Sequence, residues 1–236
     1  MRYADRNHPN EQVRAHDAAL ESRLADVALS KARRRLIPFL FVLYLVAYLD
    51  RINVGFASLQ MNRELGLTES VFGLGAGLFF LAYSLFEVPS NLILERVGAR
   101  RWIARIMISW GVVAMAMIAV RGAPSFFALR FVLGLAEAGF FPGVILYLTF
   151  WFPMREQARA VALFMTATAL AGVIAGPVSG ALLELHGVAG ISGWQWLFIL
   201  EGLPAVILGV MVLLYLPDGP NSAAWLEGCS PPPATP

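Results

Sequence analysis

Residues 36–59 read LIPFLFVLYLVAYLDRINVGFASL, an apolar run interrupted by two adjacent charges, Asp50 and Arg51. If the run stopped at Leu49, its 14 residues would form about 21 Å of helix, short of the ~30 Å hydrocarbon core of a bilayer. The span closes only by continuing through both charges to about Leu59. A charge at that depth raises the insertion free energy by roughly 2.5 to 3.5 kcal/mol, so such groups face a protein interior or a watery cavity where ions or substrates are handled.

Working outward, the rest of the chain suits the same solvent. Of its 236 residues, 58% are hydrophobic and 14% charged, against roughly 45–50% and about 25% in soluble domains. Further apolar runs occupy 71–94, 102–120, 126–152, 160–183 and 194–216, joined by connections too short to hold a soluble domain. The fold class expected is therefore an all-α integral membrane protein, a six-transmembrane-helix bundle. Residues 1–30 form a polar leader, a solvated arm or short surface helix without the apolar core of a signal peptide. Residues 31–216 form the membrane domain, and 217–236 the start of a cytoplasmic linker with an atypical Pro-rich tail. Lone Cys229 excludes a disulfide framework.

Basic residues set the orientation. Lys31, Arg33, Arg34, Arg35, Arg96, Arg100, Arg101, Arg105, Arg155 and Arg159 flank one side, and only Arg63 and Arg121 the other, a bias of ten to two. By the positive-inside rule both termini are cytoplasmic, in an inner (plasma) membrane.

The fourth span repeats the anomaly of the first. Arg130 and Glu137 stand seven residues apart, two helical turns, and share a face with Gly134 between them. Counting 1.5 Å per residue, Asp50 lies ~9 Å, Arg130 ~6 Å and Glu137 ~17 Å from the outer boundary. Asp50 and Arg130 are thus at comparable depth, and Glu137 is near the midplane. A structural ion pair between helices is the alternative, but two acids and two bases at different depths need a shared cavity. Tyr48 and Tyr83 fall near mid-span, where each either lines a polar pocket or packs with its hydroxyl satisfied. Glu87 and Glu201 are further acids within spans, each open to a structural or a functional role. Gly172, Gly176 and Gly180 recur every fourth residue, a spacing that lets helices pack backbone to backbone.

Enzymatic readings fail on the same residues. Ser179 lacks the Gly-x-Ser-Gly turn of a six-helix serine protease, and His186 is the sole histidine outside the leader. No Cys/His cluster has metal spacing, no glycine loop cradles phosphate, and the basic residues follow membrane topology rather than nucleic acid. No enzyme activity, cofactor or metal is expected.

Tyr48-Leu-Asp50-Arg51-Ile-Asn53, the connection Glu95-Arg96-x-Gly98-x-Arg100-Arg101, Arg130-x-x-x-Gly134-x-x-Glu137 and Trp151-Phe-Pro153 together resemble the N-terminal half of an anion:cation symporter of the major facilitator superfamily. The resemblance spans roughly residues 31–227; Asn91 and Glu95 depart from the general superfamily loop. It implies proton-coupled symport of small organic anions such as sugar acids, tartrate or aromatic carboxylates. On the matching positions, Arg51 and Arg130 would attract the substrate carboxylate, Tyr48 and Tyr83 would line the pocket, and Asp50 and Glu137 would carry protons. Glu95, Arg96, Gly98, Arg100 and Arg101 would form the conformational loop.

Transporters of this kind hold substrate between two six-helix halves, so the expected partners are the anion, protons, the bilayer and a C-terminal six-helix half. The expectation is a truncated or half-length form, since the Pro-rich end after Glu227 is unlike the linker between halves. A drug:proton antiporter half, drawn from Gly176-Pro177-x-x-Gly180, and a non-transporting scaffold or homodimer stay open as alternatives. Sodium in place of protons is a further one.

Overall fold

The computed structural model describes residues 8–226, and no strand occurs among them. The helices are α1 (His8–Leu65), α2 (Glu69–Val97), α3 (Ala99–Ala116), α4 (Ala123–Glu137), α5 (Phe140–Trp151), α6 (Met154–Leu183) and α7 (Gly193–Tyr215). A 3₁₀ turn, Met117–Ala119, extends α3. With α4 and α5 taken as one broken span, six helical stretches are long and apolar enough to cross a bilayer. They coincide with the six apolar runs, which fixes the all-α membrane class.

The connections carry the stop and start signals expected of them. Thr68 caps α2 by accepting from the Val71 amide at 3.2 Å, and Gly98, at φ 96°, ends it. Ahead of α7, the Gln195 Oε1 accepts from the Ser192 amide at 3.1 Å.

Two features depart from the sequence reading. First, α1 begins at His8 and runs unbroken into the first span, where a separate arm or short surface helix was expected. Residues 10–37 hold no Gly or Pro and are rich in Ala, Leu, Glu and Arg, so nothing in the backbone stops the helix as the side chains turn from polar to apolar. Residues 1–7 of the leader and the Pro-rich end with Cys229 lie outside the described residues.

Second, the fourth span is interrupted. Ala138 is extended (ψ 131°) and Gly139 left-handed (φ 83°), which breaks the ladder between α4 and α5 and leaves Glu137 as the last residue of α4. Glycine is required at 139 on two counts: the positive φ, and a would-be Cβ that would collide with Ser90.

Packing is most extensive between α3 and α7, α1 and α6, and α2 and α4. Lipid is as apolar as these side chains, so close van der Waals fit holds the helices together. It is supplied at Gly111 against Gly202, Gly209 against Met107 and Ile108, and Gly134 against the Phe79 carbonyl. The expected glycine seam on α6 is not among these contacts. Nothing lies within 4 Å of a Cβ built on Gly172 or Gly180, and only Phe56, at 3.9 Å, near Gly176. That glycine face is open in this chain because the helix turns its Ala160, Phe164, Ala167 and Ala171 side inward instead.

Candidate functional site

Inside this apolar bundle the buried polar side chains among the described residues are Asp50, Asn53, Ser90, Arg130, Glu137, Ser179 and Glu201. Two of them form a plain structural bridge: the Ser179 hydroxyl donates to Asn53 Oδ1 at 2.6 Å, joining α6 to α1. Of the charged ones, Asp50, Arg130 and Glu137 gather where α1, α2, α3 and α4 meet, and Glu201 lies on α7.

Arg51 on α1 bonds Glu137 on α4 at 2.5 Å. Glu137 is 1% exposed and Arg51 25%, so the acid is sealed while the guanidinium keeps an open side. Arg51 also lies 4.9 Å from the centre of the Tyr83 ring and 5.9 Å from that of Phe79. Arg130 sits over the same Phe79 ring at 4.6 Å. Phe79 thus shares its π system with two guanidinium groups that would otherwise repel. Asp50, 2% exposed, accepts a hydrogen bond from the Trp110 indole N–H at 3.0 Å.

Asp50, Arg51 and Arg130 open onto one cavity of about 240 Å³, whose remaining walls are Ile52, Val54, Gly55, Phe72, Ala76, Phe79 and Phe80. Two cations and one acid therefore look into a small apolar pocket. Asp50 Oδ1, Arg51 Nε, Arg130 Nε and Glu137 Oε2 have no hydrogen-bond partner. Unsatisfied groups at such depth are costly, and a ligand with acceptor oxygens and an exchangeable proton is the chemistry that would satisfy them.

The structure brings Asp50, Arg51, Arg130 and Glu137 close together, with pairings that depth counting did not supply. Depth counting set Asp50 level with Arg130 and left Glu137 alone near the midplane. The structure instead bonds Glu137 to Arg51, and Asp50 to Trp110. Equal depth says nothing about rotation about the helix axis, and the neighbours Asp50 and Arg51 point some 100° apart on α1. Gly134 has the expected role of allowing close approach, and the occupant is the α2 backbone at Phe79. Tyr83 supplies its ring to Arg51. Tyr48 packs beside Tyr44, ring centres 5.9 Å apart, and is not among the residues lining the 240 Å³ cavity.

Trp110 escaped the sequence reading. A tryptophan in mid-span brings an N–H that needs an acceptor when buried, and that was the signal available.

The connection from α2 to α3 is held from an unexpected quarter. Asp218, just beyond α7, accepts from the Arg100 amide at 3.0 Å and pairs with its guanidinium at 3.8 Å. A Cβ on Gly98 would come within 2.9 Å of that carboxylate, which explains glycine there. Glu95, Arg96 and Arg101 are exposed. Nearby, the Trp102 indole donates to Ser90 at 3.0 Å, Tyr147 donates to the Pro217 carbonyl at 2.8 Å, and Arg33 pairs with Glu156 at 2.5 Å.

Comparison with known proteins gives this geometry a family. The family model described as Major Facilitator Superfamily matches residues 40–228. Similar proteins include one named "Putative tartrate transporter" from Agrobacterium vitis, 58% identical over 208 residues, which are 88% of this chain and 48% of the relative. Another is a quinolone resistance transporter of Acinetobacter baumannii, 51% identical over 82% of this chain and 44% of the relative. A third is the inner membrane transport protein RhmT of Escherichia coli, 42% identical over 88% of this chain and 48% of the relative. Among solved structures, a bacterial homolog of the human lysosomal transporter Spinster superposes with TM-score 0.74 at 20% identity, covering 86% of this chain and 46% of that one. That likeness shows the fold. The chain spans about half the length of the curated relatives it matches, and these are named as transporters, not enzymes. This multi-pass membrane chain belongs to the major facilitator superfamily.

Proposed function

We propose that the chain builds one wall of a proton-coupled symport site for small organic anions, sugar acids or other carboxylates. The observation that carries the reading is the pairing of Arg51 with Glu137 at the edge of a cavity that Arg130 and Asp50 also enter. A carboxylate already occupies one arginine, so the cavity is built for the group it would admit.

Charge bookkeeping supplies the coupling. Asp50 and Glu137 contribute two negative charges, Arg51 and Arg130 two positive ones, and the sum is zero. Admitting an anion alone would leave an uncompensated charge in a low-dielectric site, which is strongly disfavoured. Admitting a proton with each negative charge restores the balance. Glu137 is the natural acceptor, because its protonation loosens Arg51 and offers that guanidinium, with its fork of donors, to the substrate carboxylate. Asp50, beside Arg51 and across the cavity from Arg130, is the second proton carrier. Tyr83 keeps Arg51 aimed at the cavity, and Tyr48, beside Tyr44 on α1, is a further proposed substrate contact that the 240 Å³ cavity does not include.

In this reading a second six-helix unit supplies that opposite wall, and the two units rock against each other to alternate access. Residues 1–30 are the cytoplasmic leader, 31–216 the membrane domain and 217–236 the start of the linker with an atypical Pro-rich tail, with both termini on the cytoplasmic side of the inner membrane as the basic residues direct. Glu95, Arg96, Gly98, Arg100 and Arg101 act as the conformational loop, with Asp218 as their latch. The names of the Agrobacterium vitis relatives support a dicarboxylate such as tartrate as the first test substrate. The Acinetobacter baumannii relative supports a second reading, proton-driven drug export. A quinolone bears a carboxylate that the same arginines would hold, so direction of transport separates the two.

The experiment is uptake of labelled tartrate and sugar acids into proteoliposomes holding the chain together with a C-terminal half, under an imposed proton gradient. Asp50→Asn and Glu137→Gln are expected to abolish gradient-driven accumulation while sparing tartrate exchange. Full accumulation in either variant would sink the assignment, and accumulation driven by sodium alone would replace the coupling ion.

A further inference from the structure

Glu201 stands outside the scheme above. It lies in α7, is 7% exposed, and neither of its carboxyl oxygens has a hydrogen-bond partner. It does not line the cavity that Asp50, Arg51 and Arg130 share. Its place is set by the most extensive helix packing in the bundle: α3 and α7 meet at Gly111 and Gly202, where a Cβ on either residue would come within 2.6 Å of the other's carbonyl oxygen. Trp110 precedes the first glycine and Glu201 the second. The two residues thus flank the same helix crossing, and Trp110 bonds Asp50, whose Oδ1 is also without a partner.

Among the described residues no cation pairs with Glu201. On the helices packed against α7, Arg51 is bonded to Glu137, and Arg105 of α3 stacks on Trp102 at 4.0 Å. Arg130, on α4, lies over Phe79. Asp50, held by Trp110 beside the same α3–α7 crossing, is a like charge. An isolated carboxylate in apolar surroundings without a hydrogen bond is among the most expensive arrangements a protein can hold, and a bound proton removes that expense.

We propose that Glu201 is a further proton-binding site, a carboxyl that holds a proton behind the anion cavity and is coupled to Asp50 across Trp110. The two acids resist being charged together, so loss of a proton from Asp50 toward one side of the membrane strengthens the hold of Glu201 on its own. Substrate never touches Glu201; it sets the conditions under which Asp50 gives up and regains its proton. This inference rests on the reading of Asp50 as a proton carrier.

The test is infrared spectroscopy of the chain in lipid nanodiscs, following the carbonyl stretch of neutral carboxylic acids, identified by its shift in heavy water, from acid to alkaline pH. The wild-type chain is expected to show a neutral-acid band persisting above the pH at which ordinary carboxyls ionise, and Glu201→Gln is expected to lose it. In Asp50→Asn the Glu201 band should survive but vanish at lower pH, because the like charge opposing its ionisation is gone. That second variant leaves Glu201 intact and so serves if Glu201→Gln does not fold. A band unchanged in Glu201→Gln, or an Asp50→Asn chain with an unmoved midpoint, would overturn the proposal. So would a band that appears only when sodium is withdrawn, since the oxygens would then be cation ligands. Proton-driven uptake that survives Asp50→Asn while Glu201→Gln still loses its band would instead refute the role of Asp50 and leave Glu201 as a proton site.

Discussion

Glu137→Gln isolates the exchange on which the transport reading depends. Glutamine keeps the shape and an acceptor oxygen but removes the charge, so the variant imitates Glu137 with its proton on. In the wild-type chain an incoming carboxylate competes with Glu137 for Arg51, at a bond of 2.5 Å. A hydrogen bond between charged groups contributes a net ~1.5 to 3 kcal/mol, and about 1.36 kcal/mol corresponds to a tenfold change in affinity. Relieving the competition should tighten anion binding by roughly 10- to 150-fold at alkaline pH. The 25% exposure of Arg51 places the result toward the lower end, because solvent weakens the bond being removed. At acid pH, where the wild-type Glu137 is itself protonated, the two proteins should bind alike. The variant should therefore lose most of its pH dependence, tightening where the wild type weakens. The assay is equilibrium binding of radiolabelled tartrate to the chain reconstituted with a C-terminal half, measured across pH. Equal affinities at alkaline pH, or a pH profile in Glu137→Gln parallel to the wild type, would refute the competition between acid and substrate.

Gly134→Val forces a side chain into the Phe79 carbonyl and towards Ala82, where even a Cβ would lie 3.1 Å away; overpacking of this kind costs about 1–3 kcal/mol. The Tm of the purified chain should fall, and an unchanged Tm would mean that α2 and α4 do not pack as described. Asp218→Ala removes a half-exposed ion pair contributing under about 1 kcal/mol, so the Tm should barely move while hydrogen exchange at the Arg100 amide speeds up. Slow exchange at that amide would show that Asp218 does not cap α3.

The six membrane spans were legible before any tertiary information, because hydrocarbon demands a long apolar helix each time the chain crosses it. Asp50, Arg51, Arg130 and Glu137 were legible for the same reason, each being a charge where charge is costly. The glycines show where such reading stops. Gly172, Gly176 and Gly180 have the spacing of a packing seam, yet only Gly176 has a neighbour, Phe56, within 4 Å, while the contacts that bring α3 onto α7 rest on Gly111 and Gly202, which no repeat announces. Spacing identifies residues that share a face, but a face acquires a meaning only when the helix is rotated against a neighbour. The break at Ala138–Gly139 was hidden likewise, since a single glycine in an apolar run is compatible with an unbroken helix until Ser90 is placed against it.

By itself, the sequence determined the solvent, the number of the spans, their approximate positions and which charges lie within them. These depend on rise per residue and transfer free energy, which are properties of one helix in a membrane. The tertiary structure alone decided that Arg51 takes Glu137, that Trp110 takes Asp50, that Phe79 lies beneath both arginines, and that Glu201 has no partner. Those outcomes depend on the rotation and closest approach of pairs of helices, set by van der Waals fit between chain segments far apart in sequence.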